Sequence, residues 1–251
     1  MTTLTDSSTS VRAPALLDQT VVLIGGSSGI GLETARSARA EGARVVLTGR
    51  DPDRLRRAAA DVGAQRHEAF DAHDPDRLDA FFRSLPTPVD HILVSAGGPY
   101  YAPLADMDVA DACRHVAGHL RLILEVARYA AGSVRPGGTL LFVSGTGARR
   151  PHVGIAVTAL LTAGYPALAA NLALELAPVR VNLVAPGFVD TPLSASLLGA
   201  DLDERREQLR ATLPIRRVVG PEDVAALAVH IMINSALTGA TFDVDGGQQV
   251  V

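Results

Sequence analysis

The chain contains one cysteine, no tryptophan, and aromatic residues to only 4%. A lone Cys113 excludes a disulfide framework within the chain and fits a reducing, cytoplasmic setting. On an apolar helix it reads as an inert core residue. No Cys/His/Asp cluster has metal-ligand spacing, so no structural or catalytic metal is expected. The net charge of -4 offers no broad basic surface, which argues against a nucleic-acid partner. No continuous apolar run reaches the roughly 18 residues expected of a membrane span. The opening MTTLTDSSTSVRAP lacks the apolar centre of a secretory signal, and its Ser and Thr content reads as a loose tail over 1–15.

What is present is 251 residues, 47% of them hydrophobic, enough to bury a large core. Short apolar runs rich in Val, Ile and Leu alternate with Ala/Leu/Arg stretches of helical period. Strands are expected at Thr20–Ile24, Arg44–Thr48, His67–Phe70, Asp90–Val94, Thr139–Val143, Val179–Val184 and Thr241–Val244. Helices are expected between them, the two longest at about Ala110–Ala131 and Val157–Leu176. Strands apolar on both faces and alternating with helices make a parallel sheet covered on both sides. The expected fold is α/β: one doubly wound, seven-stranded Rossmann domain over 16–251, with a mobile substrate lid at about 190–215. Ligands in such sheets bind at the carboxyl ends of the strands, and every Gly- or Ser-rich turn of the chain falls there.

The first of these turns carries Gly25, Ser27, Ser28, Gly29, Ile30 and Gly31 in a G-x-x-x-G-x-G spacing. It follows a strand and opens a helix. Glycines permit a tight turn and close approach of a pyrophosphate, whose charge meets free N–H groups at the helix N-terminus. Ser27 and Ser28 add hydroxyl donors. Where NAD binders hold the ribose 2′-OH with a carboxylate, the second strand ends on Arg50, whose guanidinium suits a 2′-phosphate. NADP(H) is therefore expected ahead of NAD(H). Arg54, Arg56 and Arg57 read as a solvated helix face rather than as further phosphate contacts.

The G-x-x-x-G-x-G form resembles that of the short-chain dehydrogenase/reductase family, and other motifs agree in register from about Leu16 to Gly247. Asp71-Ala72 is similar to the family's acidic start of the adenine pocket. Ser95-Ala96-Gly97 resembles its N-A-G strand end. Pro186-Gly187, Val189 and Thr191 resemble its nicotinamide-side turn. The resemblance implies a cofactor site on these residues and pairing of the two long helices in a homodimer or homotetramer. Their girth is apolar enough to agree. The family's Tyr-x-x-x-Lys positions, counted back from Leu172–Pro178, fall on Thr158 and Thr162. Its Asn position falls on His115. Its Ser falls on Gly145, flanked by Ser144 and Thr146.

Three chemistries remain open to such a chain, all on a small, apolar substrate. It can reduce a C=O with a rearranged donor, His115 foremost, supported by Ser144, Thr146, Thr158 or Thr162, with Tyr100 and Tyr101 near. His115 reads equally well as a helix residue in a polar subunit contact. It can reduce a C=N or activated C=C that needs no strong acid. Or it can keep the cofactor site for non-redox work, as a cyclase, an isomerase or an NADPH-binding regulator. Arg149-Arg150 can face an anionic substrate, or equally an interface.

Overall fold

The structure is a computed structural model that describes residues 13–251. Most of the expected tail, 1–12, lies outside these. Of the remainder, Ala15 is already tied down, its N–H donating to the Glu41 carboxylate at 2.9 Å.

Seven strands form one sheet in the order β3-β2-β1-β4-β5-β6-β7, every pair parallel. The strands are β1 (Thr20–Ile24), β2 (Arg44–Gly49), β3 (Arg66–Ala69), β4 (Val89–Val94), β5 (Val134–Val143), β6 (Arg180–Pro186) and β7 (Thr241–Val244). The period-2 pleat divides their side chains between two cores. Val22, Ile24, Val46, Ile92, Val94, Leu140 and Phe142 face α3 (Pro75–Arg83), α4 (Val109–Ser133) and α5 (Ala156–Glu175). Val21, Leu23, Val45, Leu47, Leu93 and Leu141 face α1 (Gly29–Ala40), α2 (Pro52–Val62) and α8 (Pro221–Ile233). Burial on both faces is why these strands read as unbroken apolar runs.

Several local readings change. β5 begins at Val134, which pairs with Val89 ahead of a register shift. Cys113 is exposed, because the buried flank of α4 passes through its neighbour Ala112. α5 includes Pro166 within its run. α5 is also long and apolar enough, by length and composition, to cross a membrane, although no continuous apolar run was expected to be. In this fold it is a layer helix, with Tyr165, Ala169, Leu172 and Ala173 seated in the core. The mixed segment near 190–215 is mostly helical: α6 (Pro192–Leu198), a 3-10 turn, then α7 (Leu202–Thr212). Arg206 of α7 latches onto Asp190 through Nε at 2.9 Å and Nη2 at 2.7 Å.

Arg180 is buried at 6% exposure and forms no ion pair among the described residues. Its guanidinium donates to the carbonyls of Gly137, Ile231, Met232, Asn234 and Leu237 and to Thr139 Oγ1. It thereby collects the unsatisfied C-terminal carbonyls of α8, where a cation is favoured.

Candidate active site

The register aligns Ile24, Val94, Phe142, Val184 and Phe242 across the sheet, or nearly so. The turns after β1, β4, β5 and β6 therefore line one edge. In the first, Gly25 has φ +99° and Gly29 φ +54°, left-handed values that favour glycine. A side chain on Gly31 would strike the Gly25 carbonyl, and one on Gly25 would meet the Ala96 nitrogen at 2.7 Å. Ser95 Oγ donates to the Gly25 carbonyl at 3.2 Å, locking the first and fourth strand ends together.

The N-termini of the first four helices differ. Asp51, Asp74 and Asp108 cap α2, α3 and α4 through their carboxylates. The N-cap of α1 is Ser28, whose side chain makes no cap bond, and no acid stands in the first turn. The free N–H groups of α1 are thus left for an anion. Beside it lies a cleft of about 250 Å³ lined by Ser27, Leu32, Arg36, Arg54, Arg57, Ala58 and Asp61. Arg36 is paired there with Asp61 at 2.7 Å, whereas Arg54 and Arg57 form no ion pair among the described residues. Both side chains are exposed, as expected of a solvated helix face, and their three-residue period puts them on one face of α2 beside this cleft.

Past β3, Asp71 accepts from the His73 N–H at 3.0 Å and faces His73 Nδ1 at 3.2 Å. Burial raises its pKa, but these bonds and the field of Arg50 outweigh it and the net shift is downward. Ala72 is buried behind it. Gly97 has φ +113°, and a Cβ there would stand 2.6 Å from the His119 ring. On the far side, Thr191 caps α6 and lies against Gly29, which brings the first and sixth turns together. Val189 is buried and bridges to Val219. Pro186 accepts from the Thr146 N–H at 3.1 Å, and Gly187 lies against Gln248.

The reacting end is built from α4, α5 and the turn after β5. Thr158 Oγ1 accepts from the Tyr100 N–H at 3.1 Å and donates to the Tyr100 carbonyl at 2.8 Å. Thr162 Oγ1 accepts from the Ala148 N–H at 2.8 Å and donates to the Thr158 carbonyl at 2.9 Å. Both hydroxyls are spent on backbone, clipping the β4 and β5 loops to α5. Their methyls meet glycine: a Cβ on Gly145 would stand 3.7 Å from Thr162 Cγ2, and one on Gly147 3.4 Å from Thr158 Cγ2.

His115 and His119 lie one turn apart with ring centroids 4.4 Å apart, and the Tyr100 ring is 5.4 Å from His115. His119 Nδ1 faces the Tyr165 hydroxyl at 3.1 Å. Burial lowers the pKa of both imidazoles, that of His119 to about 4, so both are neutral at pH 7. Three buried side-chain polar atoms among the described residues have no protein partner: His91 Nδ1, His115 Nε2 and Ser144 Oγ. Two of the three are at this site. Such orphans are rare in a packed fold and mark places where a ligand or water completes the bonding. Thr146 opens the 3-10 turn Gly147–Arg149, its hydroxyl uninvolved in the cap.

Comparison with known proteins fits this edge. A model of the enoyl-(acyl carrier protein) reductase family matches residues 25–249. Dehydrogenase/reductase SDR family member 4 of Sus scrofa is 33% identical, over 96% of this chain and 91% of its own. This chain belongs to the short-chain dehydrogenase/reductase family. The solved MalC reductase/Diels-Alderase from Malbranchea aurantiaca has a TM-score of 0.87 at 25% identity, covering 95% of this chain and 99% of that one. A variant of actinorhodin polyketide ketoreductase, solved with NADPH, has a TM-score of 0.83 at 26% identity, covering 93% and 98%. As a member of this oxidoreductase family the chain has its seven-stranded parallel Rossmann fold.

Proposed function

We propose that this chain is an NADP(H)-dependent reductase that adds hydride to an already electrophilic carbon of an apolar small molecule. Its preferred groups are an iminium C=N or an activated C=C, ahead of a plain C=O. The reading rests on one observation: the hydroxyls at the family's Tyr and Lys positions, Thr158 and Thr162, are consumed by backbone. Composition supports it, since all 23 residues counted as Lys or Arg are arginine. With no lysine anywhere in the chain, no rearrangement of it, nor a second copy, can supply the ammonium.

The residues fit NADP(H). The turn Gly25–Gly31 and the free N–H groups of α1 suit the diphosphate, with Ser27 and Ser28 beside them. Arg50, at the end of the second strand, suits a 2′-phosphate, which a bare ribose hydroxyl would leave unmatched. Asp71 and Ala72 bound the adenine end. Ser95, Ala96 and Gly97 hold the middle, and Pro186, Gly187, Val189 and Thr191 the nicotinamide end. The NADPH in the related ketoreductase structure supports the same choice of cofactor. A reduced nicotinamide supplies hydride when bound.

Reduction of a ketone leaves an alkoxide that must gain a proton. Losing a positioned acid costs roughly 10²–10⁴-fold, about 3–5 kcal/mol of barrier. Neutral His115, its imidazolium disfavoured by burial, is a poor replacement. An iminium avoids the problem: hydride bonds to carbon, the π pair retires onto nitrogen, and a neutral amine results without proton transfer. An activated enone gives a stabilised enolate that water protonates afterwards. Here His115 Nε2 and Ser144 Oγ act as polar handles that orient the substrate, with Thr146 beside them. Thr158 and Thr162 hold the loops that shape the pocket.

The test is NADPH oxidation against a matched panel of cyclic iminium, enone and ketone substrates. Iminium and enone turnover should exceed ketone turnover by at least ~10². Equal rates with a ketone, or binding of NADPH without oxidation by any member, would sink the reading. A second reading has its own support in the likeness to the MalC reductase/Diels-Alderase: cyclisation in the same pocket without net redox. It predicts product formation with NADP⁺ in place of NADPH and no change in nicotinamide absorbance.

A further inference from the structure

Two arginines beside the turn after β6 lack an acid. Arg206 of α7 is latched to Asp190, and Arg149 of the β5 turn is paired with Asp243. Their chain neighbours, Arg205 and Arg150, form no ion pair among the described residues. Arg205 lies over the Phe188 ring, 5.9 Å from its centroid, and donates to Gln208 at 2.6 Å. Arg150 Nη1 donates to the Gln248 carbonyl at 2.8 Å. Gln248 in turn accepts at Oε1 from the Phe188 N–H at 2.9 Å. Arg150, Gln248, Phe188 and Arg205 are thus joined around the residue that follows Gly187. Burial lowers the pKa of Arg205, and the positive field of Arg150 lowers it further. The fold therefore holds two like charges near one another without an ion-pair partner among the described residues, beside the Phe188 ring that follows the turn Pro186–Gly187.

We propose that Arg150 and Arg205 form an anion clamp that takes a carboxylate or phosphate of the substrate, with Phe188 beneath its apolar body. Guanidinium forks suit both oxyanions, and the aromatic face favours Arg205 standing ready. The proposal rests on the reductase reading only in treating this turn as a substrate entrance. It adds that the apolar substrate is an acid.

Binding to the NADP⁺-loaded protein tests it without any turnover. Octanoate, octyl phosphate and octanol share one chain and differ in head group, and calorimetric titration compares them. At least one anion should bind roughly 10- to 150-fold tighter than octanol, the usual worth of a hydrogen bond to a charged group. Which anion wins distinguishes carboxylate from phosphate. Arg150→Gln, at an exposed position, and Arg205→Gln should each reduce the preference, while Arg210→Gln on the same helix should not. The preference should also shrink with added salt. No preference for an anion, no measurable anion binding, or a preference that survives both substitutions overturns the clamp. So does an equal loss of NADP⁺ affinity in the variants, which would give these arginines to the cofactor. If the preference holds but no panel substrate oxidises NADPH, the clamp stands and the reductase reading falls.

Discussion

Replacing Thr158 by valine separates a structural hydroxyl from a catalytic one. Valine keeps the methyl that faces Gly147 and the β-branched shape, so packing on the β5 turn is preserved. It deletes two bonds, one accepted from the Tyr100 N–H at 3.1 Å and one given to its carbonyl at 2.8 Å. An unpaired buried backbone group costs about 1–3 kcal/mol. Tyr100 is only half-buried, so water recovers part of this, and about 1 kcal/mol per group, roughly 2 in all, is the expected loss. For a chain of this size that lowers Tm by roughly 4–8 °C. Thr158→Ser keeps both bonds and should stay within about 1 °C of the parent after allowing for the lost methyl's small local effect. Calorimetry reads the first quantity and NADPH oxidation, well below either Tm, the second. Iminium reduction should fall by no more than a few-fold in the valine variant. The reasoning fails if Thr158→Val leaves Tm unchanged yet reduces turnover by ~10² or more, restored by serine; that pattern belongs to a proton donor.

Other outcomes are equally specific. Arg50→Glu should weaken NADPH roughly 10- to 150-fold while NADH holds or gains, since one charge-assisted phosphate contact becomes a repulsion; fluorescence titration of both cofactors checks it. Arg180→Met should lower stability by at least about 1–3 kcal/mol in urea unfolding, because five carbonyls and Thr139 lose their donor inside the protein. His119, with a folded pKa depressed to about 4 against about 6.5 unfolded, binds its proton more readily in the unfolded chain. Stability is therefore full above pH 6.5 and should fall as pH drops towards 4, and His119→Gln should flatten that slope in pH-dependent melting. Leu120 and Leu124 of α4 are each 44% exposed and Leu160 of α5 62%; these faces fit the expected homodimer or homotetramer, and Leu124→Lys should shift light-scattering mass towards the monomer.

The parallel sheet was legible because both-face burial writes itself as continuous apolar runs, and β1, buried throughout, begins and ends where its run does. The phosphate turn was legible because only glycine tolerates Gly25 and Gly31. Side-chain partners were not. Thr158 and Thr162 looked like catalytic hydroxyls because spacing places residues, not lone pairs, and the Tyr100 and Ala148 backbone comes from loops far along the chain. The exposed face of Arg54 and Arg57 was legible as a charge run; the cleft it borders was not, because Ser27 belongs to another element. Arg180 gave no signal at all, since its partners are carbonyls, which every residue carries. The missing lysine was plain in the composition, and it is the one compositional fact that limits the chemistry.

Thr162 and Thr158 face Gly145 and Gly147 with room for a Cβ between each pair, and each hydroxyl is returned to backbone. The orphaned polar atoms at this end among the described residues are His115 Nε2, on α4, and Ser144 Oγ, in the turn after β5. A packed α5 surface beside two unsatisfied handles is what a pocket needs to orient a substrate without protonating it. Restoring Tyr and Lys as Thr158→Tyr with Thr162→Lys should therefore not create a ketone reductase by itself. Tyrosine would have to displace the Tyr100 loop, and lysine the Ala148 turn, before either reached a carbonyl. Ketone turnover rising ~10² in that double variant, with unchanged Tm, would show the threonines to be replacements of convenience and not parts of a differently built site.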